Sequence, residues 1–176
     1  MRKSYKMNKN LNMDIEEYRK YLKMYLQRYI VARRRLNELK ETHEVILNDS
    51  NNPQYGAGYK AFPRVMSSSV NSGAASFSIK LSDIEDRIAV QQDKLKYLVL
   101  EVLEILDYLP PNSKERSALE LSYIQDKSVK ACCYSMYVAR STFFDIKKKA
   151  IDDLLKYEKV KLIVSEFATR EKENVS

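Results

Sequence analysis

The chain reads as an all-α protein: a long antiparallel, coiled-coil-like helical hairpin followed by a C-terminal helix-turn-helix domain. Three observations predict this. Among 176 residues only 3 are glycine and 4 proline, too few turn formers for a sheet-rich or barrel fold. Two stretches repeat apolar residues at alternating steps of three and four, the spacing of a helical seam. Past Pro110-Pro111 that seam gives way to short amphipathic pieces separated by turn signals. Hydrophobic residues make up 44 %, enough for a core and incompatible with wholesale disorder.

The first helix is predicted over 14–48. Asp14 can cap it, and Glu16 and Glu17 fall in its first turn, where the helix dipole favours acids. Its seam is Ile15, Tyr18, Leu22, Tyr25, Tyr29, Ala32, Leu36, Leu39 and Ile46, with His43 filling one slot. The tyrosines are expected in the seam. Arg33-Arg34-Arg35 reads as a solvated helix face.

Residues 49–76 are rich in Asn, Ser, Gly and Pro and keep neither helical nor strand periodicity, so a flexible loop is expected there. Its three glycines make no phosphate-binding loop, because no Gly-Lys-Ser/Thr follows them. The second long helix is predicted over 77–109. Its seam is Leu81, Ile84, Ile88, Gln91, Leu95, Leu98, Val102, Ile105 and Leu109. Ser82 and Glu85 have the spacing of a capping box, and Pro110 ends the run. Residues 1–48 carry 12 basic and 6 acidic side chains, whereas 77–109 carry 4 and 7. The two arms therefore attract, although exposed charge pairs contribute little.

The same composition narrows the function. The net charge is +7, compatible with a nucleic-acid partner. One histidine and two adjacent cysteines, Cys132 and Cys133, cannot build a zinc site of the usual spacing. No metal, cofactor or catalytic set is expected: His43 lies in a heptad slot, and Asp152-Asp153 reads as a surface patch. No apolar run approaches the roughly 18 residues of a membrane span, and no secretory leader pattern opens the chain. A cytoplasmic protein with reduced cysteines, not an enzyme, is the expectation.

Residues 116–154 are the most informative stretch. Ser113 can cap a helix to about Ile124, and Ser128 a second to about Met136; Tyr137-Val138-Ala139 makes a turn. A third helix starts near Arg140 or Ser141 and runs past Leu155. Two short helices joined by such a turn have helix-turn-helix spacing. Inward positions fall on Val129, Cys132, Met136, Val138, Phe143, Ile146, Ala150 and Leu154, with small Cys133 where the helices cross. Outward on the later helix lie Arg140, Ser141, Thr142, Phe144, Asp145 and Lys148, chemistry suited to base edges in a major groove. Lys127, Ser128, Lys130, Lys147 and Lys149 are the expected contacts to the DNA backbone.

The stretch from Arg116 to Leu154 resembles the region-four helix-turn-helix of sigma-70-type factors. Leu121, Tyr123, Ser128, Val138, Ile146 and Lys149-Ala150-Ile151 carry the likeness. Tyr137 stands where a turn glycine is common. Ala139 stands where a capping Ser or Thr is usual, which allows the cap to shift to Ser141. Phe144 and Asp145 replace basic or amide residues of the groove face. The whole arrangement resembles the small regulators of phages of Gram-positive bacteria of the ArpU and RinA kind, and Ser76 to Gln92 also looks similar to them. That resemblance implies a sequence-specific transcription regulator, an activator of phage late genes acting at promoters in a bacterial host cell. Its partners would be double-stranded DNA, bacterial RNA polymerase and a second copy of the chain. Two alternatives stay open: a packaging component like a terminase small subunit, and a helical scaffold that binds no DNA. The expected division is a hairpin over 1–109, a DNA-binding domain over 110–158 and a helical extension over 159–176.

Overall fold

In the computed structural model the described residues are 13–51 and 72–175, and they form six α-helices and no strand. The helices are α1 (Ile15–Asn51), α2 (Ser72–Leu106), α3 (Lys114–Tyr123), α4 (Val129–Met136), α5 (Arg140–Leu154) and α6 (Glu158–Val175). The all-α class and the long helical hairpin are as the seams require. None of these helices is long and apolar enough to cross a membrane.

Local chemistry sets most helix starts. The Asp14 carboxylate accepts the Glu17 backbone N–H at 2.7 Å and so caps α1. Ser113 caps α3 through the Arg116 N–H, and Ser128 caps α4 through the Ala131 N–H. The helix α5 starts at Arg140, one of the two expected positions, and the cap does not shift to Ser141. Ala139 is its N-cap and makes no side-chain cap bond, while Ser141 lies inside the helix.

Both long helices overrun the predicted loop of 49–76. Residues 49–51 belong to α1 and 72–76 to α2; the rest of that loop lies outside the described residues. Ser72, Gly73, Ala74, Ala75 and Ser76 resemble loop composition, yet alanine has the highest helix propensity and no proline interrupts the run. Ser82 is therefore ten residues inside α2 and caps nothing. At its other end α2 stops at Leu106. Tyr108 and Leu109 then donate to carbonyls three residues back, tightening the chain before Pro110.

The chain packs as two compact units, one from Met1–Ile30 with Leu98–Ser176, the other from Val31–Tyr97. Within Val31–Tyr97, α1 and α2 pair antiparallel. Gln91 donates to the Ala32 carbonyl at 2.9 Å, and His43 meets Glu85 at 3.3 Å. Ala32, Leu36, Leu39 and Ile84 are buried between them, whereas Val31, Val45, Ile79, Val90 and Tyr97 are exposed.

The other unit has a broader core. Tyr21, Leu22, Tyr25, Leu26 and Ile30 of α1 pack with Val102, Ile105 and Leu106 of α2. The same cluster takes Leu119 and Tyr123 of α3, Ala150, Ile151 and Leu154 of α5, and Val160, Val164 and Ala168 of α6. Ile15, expected in the seam, is half exposed.

The last helix also departs from expectation. The chain does not run on past Leu155. It turns over Leu155–Tyr157 and restarts as α6. Leu155 is itself buried, and the turn lets Val160, Val164 and Ala168 face the same core. α6 runs antiparallel to the start of α1: Phe167 meets Tyr25 edge-on at 5.4 Å, and Lys172 reaches Glu17 at 3.6 Å.

Candidate nucleic-acid interface

The candidate site is built on α3, α4 and α5. Ala118 and Leu121 from α3, Cys132 from α4 and Phe143 from α5 make a small buried cluster. Val129, Cys133, Met136, Val138 and Ile146 pack against it, half-buried. The Cys132 thiol donates to the Lys127 carbonyl at 3.6 Å, and burial pushes its pKa up. Both cysteines are free thiols, and among the described residues no metal-ligand cluster forms.

The turn between α4 and α5 is sharp. Tyr137 takes φ 54 and ψ 44, the left-handed region. The Val138 N–H closes the turn on the Cys133 carbonyl at 3.1 Å, directing Val138 inward. Asp126 makes the same left-handed turn, φ 53, between α3 and α4; aspartate tolerates that conformation better than most residues.

These anchors orient α5. Phe143, Ala150, Ile151 and Leu154 are buried, so the opposite side of the helix faces outward. Arg140, Ser141, Thr142, Phe144, Asp145 and Lys148 are all exposed. Ser141, Asp145 and Lys148 lie opposite the buried stripe, whereas Arg140, seven residues before Lys147, shares the packed phase and is exposed as the first residue of the helix. The Arg140 guanidinium lies 5.7 Å from the Phe144 ring centroid, a cation–π contact that holds both side chains near the helix start. At the start of α4, Lys127, Ser128 and Lys130 are exposed.

The three-lysine run of α5 splits three ways. Lys148 is exposed beside Asp145. Lys149 is exposed but bonds Glu115 of α3 at 2.7 Å, which holds the Glu115 carboxyl below its ordinary pKa. Lys147 turns the other way. Its ammonium sits 4.3 Å from the Tyr123 ring centroid, half-buried, and burial lowers its pKa. The expected backbone contact at Lys147 is therefore not brought to the outer face. Helical phase explains this: Lys147 follows Phe143 by four and precedes Leu154 by seven, which puts it on the packed stripe.

Residues 80–155 match a family model described as a protein of unknown function (DUF1492). No curated protein and no solved structure matches the chain. The matched stretch runs from within α2 to just past the end of α5, so most of one long helix and all three helices of the candidate site fall inside it.

Two aromatic residues were not expected among the site residues, although Tyr137 was noted in place of the turn glycine. Tyr134 is 80 % exposed and Tyr137 is 90 % exposed, with ring centroids 6.4 Å apart. Their signal is in the helical phase of α4, which sets Tyr134 opposite Cys132 and Met136. Other charges at the site serve the fold. Arg116 bonds Glu120 at 2.7 Å and Asp107 at 2.8 Å, and Arg19 of α1 bonds Asp152 of α5 at 2.6 Å.

Proposed function

We propose that the protein is a non-catalytic, sequence-specific DNA-binding transcription regulator. In this reading α5 enters the major groove, and the start of α4 meets the phosphate backbone. The observation that carries it is the two-sided character of α5. One side is locked into the core by Phe143, Ala150 and Leu154, and the other offers Ser141, Asp145 and Lys148 to a partner, with Arg140 exposed at the helix start. Arginine suits guanine, aspartate a cytosine amino group, and Phe144 a thymine methyl.

The likeness to sigma-70 region four and to the ArpU and RinA kind of phage regulator supports action at promoters of late phage genes. Self-association is part of the same proposal. Val31, Val45, Ile79, Val90 and Tyr97 leave apolar surface uncovered on the Val31–Tyr97 unit, and a dimer reads two half-sites. The test is a mobility-shift titration against upstream fragments of the source genome at several salt concentrations. The expected result is one preferred fragment, bound at least a thousandfold tighter than bulk DNA. Equal binding to every fragment, falling steeply with salt, contradicts the reading.

A further inference from the structure

We propose that the outer face of α4 and the turn after it form a second interface, which docks a protein segment offering an apolar side chain flanked by carboxylates. The first observation is a recess of about 620 Å³. Ala131, Cys133 and Val138 form its apolar part, and Lys130, Tyr134 and Tyr137 carry its polar groups. The second is the backbone. Tyr137 is a non-glycine residue held in the left-handed region, where glycine fits without a Cβ penalty. Its ring is almost wholly exposed, with its centroid 6.4 Å from that of Tyr134, so the fold recovers little from burying it. A bulky residue kept in that conformation with its ring in solvent points to a role in binding.

The chemistry favours a protein over a duplex. The recess walls are chiefly apolar and accept a side-chain anchor, which a phosphate backbone cannot supply. Tyrosines concentrate where protein interfaces hold their energy. Lys130 beside the recess, with exposed Lys127 one turn earlier, supplies positive charge that complements acidic neighbours of the anchor. Tyr134 stands on the side of α4 opposite buried Cys132, whereas the groove-directed residues stand on α5. A regulator bound by α5 therefore keeps the two rings and the apolar part of the recess available, while Lys130, which lines the recess and is also expected on the phosphate backbone, stands where the two partners meet. The choice of RNA polymerase as the partner rests on the regulator reading; the surface itself does not.

The test uses the full chain with purified bacterial RNA polymerase holoenzyme as the probe, and the preferred DNA fragment in a separate titration. Tyr134→Ala and Tyr137→Gly are compared with the parent. Glycine at 137 relieves the backbone, so that variant is expected to melt no lower than the parent. Each variant is expected to lose at least tenfold in polymerase affinity with DNA affinity unchanged. Failure of the parent to bind polymerase, or unaltered affinity in both variants, overturns the proposal. A fall in DNA affinity instead places the rings on the duplex and also overturns it. If the parent binds polymerase through these rings but prefers no DNA fragment, the regulator reading fails while this surface stands.

Discussion

The two halves of α1 carry the same heptad spacing but bury different widths of helix. Up to Ile30, neighbours are buried together: Tyr21 with Leu22, and Tyr25 with Leu26. From Val31 on, burial narrows to single positions, Ala32, Leu36 and Leu39. The first half packs in a cluster with α2, α3, α5 and α6; among the described residues of the second unit, only α2 covers it. A seam thus reports that a helix is covered, and the width of the buried stripe reports by how many neighbours. Apolar doublets alone do not separate the halves: Tyr21-Leu22 and Tyr25-Leu26 are buried together, whereas Val31 beside Ala32 and Val45 beside Ile46 are exposed.

Truncation is the sharpest way to break that comparison. Leu26→Ala is expected to cost about 3–5 kcal/mol, because a wholly buried leucine in a many-sided core leaves a cavity its neighbours cannot close. Leu36→Ala, in the narrower packing, is expected to cost about 2 kcal/mol. Denaturant unfolding of both variants checks the order, and equal losses would show that the Val31–Tyr97 unit is as deeply packed as the other.

Alkaline unfolding sharpens the same contrast. Burial pushes the Tyr123 phenol up to about 12, from an ordinary value near 10. The raised value means the contribution is complete below pH 10 and lost as pH climbs toward 12. Lys147, whose ammonium is pushed down, acts in the opposite sense. Tyr123→Phe isolates this phenol: it is expected to lose less stability than the parent across pH 10–12, the remaining loss including that of Tyr25, whose phenol burial also pushes up. Parallel pH profiles would refute the burial argument.

The smallest effect lies at the α3–α5 ion pair. Lys149 holds the Glu115 carboxyl below its ordinary pKa. That stability is present above the ordinary carboxylate range and is lost as pH falls through the depressed value. Lys149→Met is expected to cost little at pH 7, the least of these substitutions, since the lysine is largely exposed and solvent screens the pair. At pH 2 the difference from the parent is expected to vanish.

Much of this architecture was legible in the chain. Asp14, Ser113 and Ser128 signal helix starts because their short oxygens reach a backbone N–H two or three residues on. Phe143, Ala150 and Leu154 declare the packed side of α5 by spacing alone. The start of α2 was hidden because Ser, Gly and Ala serve both loops and helices. The break before α6 was hidden because nothing in Leu155–Tyr157 is a strong turn former; only packing of Val160 and Val164 selects it. Lys147 was misplaced by reading three lysines as one charge cluster, when helical phase separates them by about 100° each. Tyr137 stood out only as a departure from the usual turn glycine, whose place is the left-handed one it takes; nothing in the local pattern indicated that its ring and that of Tyr134 stay in solvent.

That phase separation also isolates the central claim, that one particular side of α5 meets DNA. The deciding measurement is the affinity of Lys148→Ala and Lys147→Met for the preferred fragment, at fixed salt, with helicity checked by circular dichroism. The account predicts a loss of tenfold or more for Lys148→Ala and affinity within twofold of the parent for Lys147→Met. Equal losses for the two would mean that charge alone, and not the outer face of this helix, governs binding.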